Sequence, residues 1–345
     1  SRVFYFTTCG WMMWNWLISG LLLKSTIYLY DGSPFYPNSE VLWNFVDNEK
    51  INFMGVSAKY IDALSKENIN IIDTYKLKNL ETIGSTGSPL IHESFDYIYA
   101  NIKKDVSVAS LSGGTDIVGC FIGGNPMSVV RRGEIQGPIL GMDVHVYDEN
   151  ANSLKNEKGE LVCIKSFPSM PLFFWDDNNN EKYHDAYFNK YENVWCHGDY
   201  ILKTENDGFI IFGRSDATLN PGGVRIGTAE IYRQVEQIEE VLEGLVVGQI
   251  WKGDTRVVLF VRLNENSNLT EELIDKIKTK IRTGASPRHV PAKIISVKDI
   301  PRTKSGKIAE LAVRDLIHNK PINNITALAN PECLEEYKNI KELNS

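Results

Sequence analysis

Four short clusters carry residue types that could do chemistry. Ser112-Gly113-Gly114-Thr115-Asp116 offers close backbone approach, a hydroxyl and a carboxylate. Such a set suits a phosphate oxygen and a hard cation, although Gly-Gly-Thr-Asp also makes an ordinary turn. Trp195-Cys196-His197-Gly198-Asp199 puts a thiol beside an imidazole. If the segment is a strand, neighbouring side chains point to opposite faces, so Cys196 and His197 cannot act as a nucleophile and its base. Asp199, just after a glycine, is better placed to accept hydroxyls such as those of a ribose. Gly213-Arg214-Ser215-Asp216 and Pro221-Gly222-Gly223-Val224-Arg225-Ile226-Gly227 place glycines around Arg214 and Arg225. This pattern fits a hinge beside an anionic ligand, or a glycine-rich hairpin with exposed arginines. It lacks the G-x-G-x-x-G spacing of a dinucleotide fingerprint. Last, Pro301-Arg302-Thr303-Lys304-Ser305-Gly306-Lys307 has Pro where a phosphate loop needs its first Gly. Lys307 still sits between a glycine and an expected helix, from where it could reach into a cleft.

The elements expected to position these clusters change character along the chain. Runs at 26–30, 51–56, 80–83 and 107–111 read as strands, and 41–46, 59–66 and 93–102 read as helical. That alternation predicts a parallel α/β sheet with ligands beyond the carboxyl ends of its strands, where Gly84–Ser88 and Ser112–Thr115 fall. Trp11–Leu23 is too short to span a bilayer and reads as a buried helix. From about Gly141, alternating runs at 144–147, 159–164 and 209–212 predict a small β-rich subdomain. Beyond it, 229–241, 270–282 and 306–317 are expected as helices, and 245–249, 257–262 and 293–297 as strands. Thr270 is the expected cap of the middle helix, with Glu271 and Glu272 in its first turn. The fold class is therefore α/β, with a large unit over 1–214, its β-rich part at about 141–214, a small α+β unit over 215–320 and a tail over 321–345.

Composition excludes several classes. The chain has 345 residues, 43% hydrophobic and 23% charged, which rules out a disordered or collagen-like chain and suggests about two domains. The net charge of −7 argues against a nucleic-acid partner. Between Lys276 and Lys307, however, ten Lys and Arg face one acid, Asp299. A basic run is usually a solvated face, but this local excess fits a nucleotide or coenzyme. Five scattered cysteines without a C-x-x-C pair favour neither disulfides nor zinc and point to a reducing cytoplasm. The chain opens on Ser1 and runs at once into Val3-Phe4-Tyr5-Phe6, which reads as the C-terminal part of a longer protein.

In order and spacing together, the clusters resemble the adenylate-forming acyl-CoA synthetase superfamily. Its motifs end in a Thr-Glu pair, a Thr-Gly-Asp, a Gly-Arg-x-Asp hinge, a Gly-x-Arg segment and a Pro-x-Thr-x-x-Gly-Lys. They stand here as Thr115-Asp116, His197-Gly198-Asp199, Gly213–Asp216, Gly223–Arg225 and Pro301–Lys307. Three further stretches, Thr7–Trp16, Asn220–Glu230 and Ser286–Lys293, resemble the branch that activates acetoacetate. The likeness runs through Ala327–Pro331.

The resemblance implies a large AMP-binding domain followed by a small mobile one, and a reaction using acetoacetate, ATP with Mg²⁺, and coenzyme A. It implies Lys307 as the adenylation lysine, bridging carboxylate and α-phosphate. Asp116 would hold Mg²⁺, Asp199 and Arg214 the ribose, and Arg225 a phosphate. Gly87-Ser88-Pro89 would line the adenine, Ser112–Asp116 would complete the nucleotide site, and Asp216 would be the pivot. Trp11, Met12, Met13 and Gly113 would line the acyl pocket, and Gly222, Gly223 and Arg288 the coenzyme A face. Two departures stand out. Asp116 replaces the usual Glu, and the Ser/Thr/Gly-rich pyrophosphate loop of the family is absent, so residues 1–345 alone are expected to be inactive. Other short acids such as acetate or propionate, and a nucleotide-binding piece without turnover, are the alternative readings. An oxidase of the luciferase type shares the motif order but not the tryptophan-rich Gly10–Trp16.

Overall fold

The computed structural model describes residues 1–221, 224–304, 306–322 and 325–344. They form two compact units, Ser1–His197 with Ile201–Ile210, and Gly198–Tyr200 with Ile211–Ser345.

The first unit is built on a five-stranded parallel sheet of β1 (Arg2–Tyr5), β2 (Thr26–Tyr28), β3 (Phe53–Ser57), β4 (Thr82–Thr86) and β5 (Ser107–Ser110). The order is β2-β1-β3-β4-β5, every pairing parallel. Helices α1 (Met12–Ser19), α2 (Val41–Asn48), α3 (Ala58–Lys66), α4 (Ile71–Thr74) and α5 (His92–Tyr97) connect the strands. Crossover helices cover the faces of such a sheet, which is why these strands read as apolar runs. Phe4, Trp43, Met54, Ile61, Ile83 and Phe95 form its core. Ser57 starts α3 by accepting the Tyr60 N–H at 3.2 Å, an ordinary N-cap.

Beyond the sheet, β6 (Ser112–Gly114), β7 (Gly119–Gly123) and β8 (Gly137–Pro138) form an antiparallel sheet. Then β9 (Val144–Tyr147), β10 (Lys158–Cys163), β11 (Trp195–Lys203) and β12 (Phe209–Arg214) form a four-stranded sheet in the order β12-β11-β10-β9. Helix α6 (Glu181–Tyr187) lies between β10 and β11 in sequence.

The second unit contains α7 (Thr228–Val235), β13 (Val241–Trp251), β14 (Asp254–Leu263), α8 (Glu271–Gly284), β15 (Lys293–Ser296) and α9 (Glu310–Ile317). The long β13–β14 ladder is antiparallel and β15 joins it in parallel. Alternation along the ladder divides two cores. Val246, Leu259 and Val261 pack with residues of α7 and α8, while Leu245, Val247, Val258 and Phe260 pack with α9 and the C-terminal tail. Thr270 caps α8, accepting from Leu273 N at 3.2 Å.

Several boundaries depart from the sequence reading. The expected buried helix at 11–23 is α1 followed by a 3₁₀ turn, and it buries one stripe only. Met13 and Leu17 are inside, but Leu22 and Leu23 are more than 80% exposed. The helix expected over 229–241 stops at Val235, since Val241 already pairs with Leu263. The helix expected from Gly306 begins only at Glu310, because Thr303, Lys307 and Ile308 are held in an extended turn, with Arg302 bridged to Ile308. No helix among the described residues is long and apolar enough to cross a membrane.

Candidate active site

In the first unit the candidate residues gather at the carboxyl end of the parallel sheet. Gly87 follows β4 at φ +91°, a conformation glycine takes without strain, and its missing side chain faces Trp11 at 3.9 Å. Thr86 Oγ1 donates to Leu111 O at 3.0 Å, tying this turn to the residue before Ser112. The adenine candidates Gly87, Ser88 and Pro89 thus lie in a turn that meets Trp11 and is bonded to the start of the Ser112–Asp116 segment. Met13 is different. It is 2% exposed and packs with Tyr5 and Leu17, so it lines no open surface.

Gly113 also has a reason other than a pocket. A Cβ there would lie 2.0 Å from Gly119 O and 2.5 Å from Cys120 Cα, so the space beside it is filled by the β7 backbone. The glycine is required by the close approach of β6 and β7, and the expectation that it opens room for an acyl chain has no support from this geometry. Gly114 serves the neighbouring contact, since a Cβ there would meet His197 Cε1 at 2.8 Å. His197 Nε2 lies 3.3 Å from Gly113 O, and its ring packs on Phe121 at 4.8 Å. Cys196 Sγ instead lies 3.9 Å from Glu160 Oε2. The adjacent thiol and imidazole therefore have separate partners.

Asp116 is exposed on the turn between β6 and β7, and the Tyr187 hydroxyl donates to its Oδ2. Tyr187 stacks on the buried Trp195 at 3.7 Å between centroids and 14° between planes. Nothing in the sequence singled out Tyr187, because its partner lies 71 residues away.

In the second unit a charged group centres on Arg214. Its Nη1 donates to Asp199 Oδ1 at 3.3 Å, and its Nε and Nη2 reach Asp216 Oδ1 and Oδ2 at 3.4 and 3.5 Å. Loss of water opposes the Arg214 charge, but Asp199 and Asp216 outweigh it and raise the pKa. Gly198, at φ +79°, makes room for this guanidinium, since a Cβ there would lie 2.6 Å from Nη2. Lys307 stands in the same electrostatic field. Its pKa is lowered, first by loss of water; Arg214 adds to the effect and Asp199 opposes it.

Asp216, the pivot candidate, is exposed, and its carbonyl accepts Arg314 Nη1 at 2.8 Å from α9. Gly213 sits nearby at φ +118°. Arg225 is exposed, with its guanidinium 5.9 Å from the Tyr200 ring centroid. Arg288 lies on the 3₁₀ turn Pro287–His289 and is exposed. Gly222 and Gly223 lie outside the described residues. Among the described residues no group of three or more His, Cys, Asp or Glu could hold a metal ion.

The AMP-binding enzyme C-terminal domain family matches residues 230–307. An acetoacetyl-coenzyme A synthetase of Rhizobium meliloti (strain 1021) is 58% identical over 345 residues, covering 100% of this chain and 53% of the relative. An acetoacetyl-CoA synthetase of Xenopus tropicalis is 46% identical over 343 residues, covering 99% of this chain and 51% of the relative. The solved acetoacetyl-CoA synthetase from Streptomyces lividans superposes with a TM-score of 0.90 at 39% identity, covering 100% of this chain and 53% of that one. The chain thus spans about half the length of the relatives it matches. Over its whole length the chain is therefore similar to about half of these acetoacetyl-CoA synthetases, and its residues 230–307 match the AMP-binding enzyme C-terminal domain family.

Proposed function

We propose that the full-length protein is an AMP-forming acid–thiol ligase acting on acetoacetate. A carboxylate oxygen attacks the α-phosphorus of ATP and pyrophosphate leaves. The coenzyme A thiol, losing its proton, then attacks the acyl carbon of the adenylate and AMP leaves. The observation that carries this reading is the grouping of Asp199, Arg214 and Lys307 in one unit. An aspartate accepting ribose hydroxyls, an arginine beside it and a lysine ammonium are what a nucleotide with a reacting α-phosphate requires.

In this reading Lys307 offsets charge building on the carboxylate and α-phosphate oxygens. Arg214 supports the ribose and fixes Asp199, and Arg225 takes a phosphate. Gly87, Ser88 and Pro89 line the adenine, with Trp11 and Met12 as candidates for the acyl wall. Gly222, Gly223 and Arg288 are assigned to coenzyme A, and Asp216 to the pivot. Asp116 fits magnesium: its carboxylate is exposed, the Tyr187 hydroxyl orients it, and magnesium held by substrate phosphates needs only one or two protein carboxylates. When bound, that ion would neutralise charge on the phosphate oxygens.

The pKa of Lys307 gives a signed prediction. Adenylation needs the ammonium, so the rate holds below the Lys307 pKa and falls as pH rises through it. Because that pKa is lowered, the alkaline limb of kcat/KM for adenylate formation should lie below the ordinary lysine range. Asp199→Asn removes the charge that favours the ammonium and should move the limb lower still. Arg214→Gln should move it higher. A limb unmoved by both changes contradicts the assignment.

The reading as a whole is tested by thioester formation in the full-length protein on acetoacetate, acetate and propionate. Acetoacetate should give the highest kcat/KM. Preference for acetate or propionate would replace the substrate, and no thioester from any acid would remove the activity.

A further inference from the structure

The family match ends at residue 307, and the tail after Asn319 shows little periodicity. That tail nevertheless runs along the loop that carries Lys307. Thr303 bridges to Leu328, Lys304 N donates to Ala327 O at 2.9 Å, and Ala329 N donates to Arg302 O at 2.8 Å. On its other side the loop pairs with itself. Thr303 N donates to Lys307 O at 2.8 Å, and Lys307 N donates to Thr303 Oγ1 at 3.2 Å. Residues 302–303 are therefore the middle of a small three-stranded arrangement whose outer members are the Lys307 segment and the tail.

Asn330 closes the arrangement. It begins the 3₁₀ turn Pro331–Tyr337, yet its side chain makes no cap bond to that turn. Its Oδ1 accepts Arg302 N at 2.9 Å. Its Nδ2 donates to Asp299 Oδ2 at 2.5 Å and to Ile300 O at 3.0 Å. One amide orientation satisfies all three, because the loop presents one donor and two acceptors. Tyr337 adds a bond from its hydroxyl to Asp299 O at 2.8 Å. Arg302 is also held from below, paired with the buried Glu243 of β13.

We propose that the tail is a clamp that sets where Lys307 stands, with Asn330 as its positioning residue. The proposal rests on reading Lys307 as the adenylation lysine. The side-chain bonds of Asn330 go to Asp299, Ile300 and Arg302 and not to Lys307. They fix both ends of the Asp299–Arg302 segment from which the lysine loop springs. Lys307 is exposed at its surface, yet its pKa is lowered, first by desolvation and also by Arg214, so its titration reports where the loop holds it.

The test uses the full-length protein with Asn330→Asp, which keeps the shape but sets a carboxylate against Asp299 and the Ile300 carbonyl. Asn330→Ala removes the same bonds without adding a like charge. Two quantities are read: the two half-reactions, and the pH midpoint for acylation of Lys307, followed on its peptide by mass spectrometry. Both variants should lower adenylate formation by about 10- to 100-fold, the scale of an ångström-sized misplacement. Thioester formation from preformed acyl-adenylate should largely survive, and the Lys307 midpoint should rise toward the ordinary lysine range. The exchange Asp299→Asn with Asn330→Asp restores a donor–acceptor pair and should recover part of both. Unchanged adenylation with an unmoved midpoint overturns the clamp. Equal loss of both half-reactions with an unmoved midpoint overturns it as well, because that is general destabilisation. If the unsubstituted protein forms no adenylate, the functional reading fails, and the Lys307 midpoint alone still decides the clamp.

Discussion

Replacing Lys307 with alanine is expected to lower adenylate formation by about 100- to 1,000-fold, the scale for removing one charged stabiliser from a transition state. The physical reason is specific to the first half-reaction. In the proposed reaction two anions, a carboxylate and a phosphate, have to approach, and an ammonium between them offsets their repulsion. The thiol attack on the acyl-adenylate has no such need, so thioester formation from preformed acyl-adenylate should largely survive in the same variant. Lys307→Arg should recover little, because a planar fork does not replace a compact point charge on a flexible stem. Rapid-quench assays of each half-reaction check this, and equal loss in both would remove Lys307 from the role.

Gly198→Ala is expected to have the next largest effect, and on two quantities. At φ +79° an alanine is strained by about 1–2 kcal/mol relative to glycine. Its Cβ would also stand 2.6 Å from Arg214 Nη2. Arg214 has a flexible stem, but its guanidinium is already committed to Asp199 and Asp216, so moving it breaks the group that is assigned to the ribose. Adenylation should fall by roughly 100-fold, while the denaturation midpoint falls only by the strain. A variant with full activity and lowered stability would show that Asp199 needs no help from Arg214. Arg214→Lys separates the two effects, because it leaves the backbone at Gly198 unstrained.

Much of this architecture was legible in the sequence, for identifiable reasons. The parallel sheet declared itself through short apolar runs at regular spacing, and the α8 start through Thr270 followed by two glutamates. The separation of Cys196 from His197 followed from strand geometry alone. What was hidden depended on partners far along the chain. Nothing near Gly113 announces that β7 occupies its side-chain space, so a glycine read as a cavity proved to be a close backbone approach. The helix drawn back to Gly306 was mistaken because Lys307 and Ile308 are claimed by β-type bonds to 302–303, which local propensity cannot reveal. Tyr187 carried no signal and Asn330 only its place within the Ala327–Pro331 likeness, since each acts through residues tens of positions away. Tyr5 and Phe4 in β1 were seen as apolar but not as a strand, because a four-residue run shows too little alternation to classify.

The central claim is that acetoacetate is adenylated by the full-length protein. Acetoacetate-dependent exchange of labelled pyrophosphate into ATP measures that step alone, without coenzyme A. The account predicts exchange that requires both acetoacetate and magnesium, that exceeds the rate with acetate at equal concentration, and that falls by about 100- to 1,000-fold in Lys307→Ala. Exchange that is absent with acetoacetate, faster with acetate, or undiminished in Lys307→Ala would contradict it.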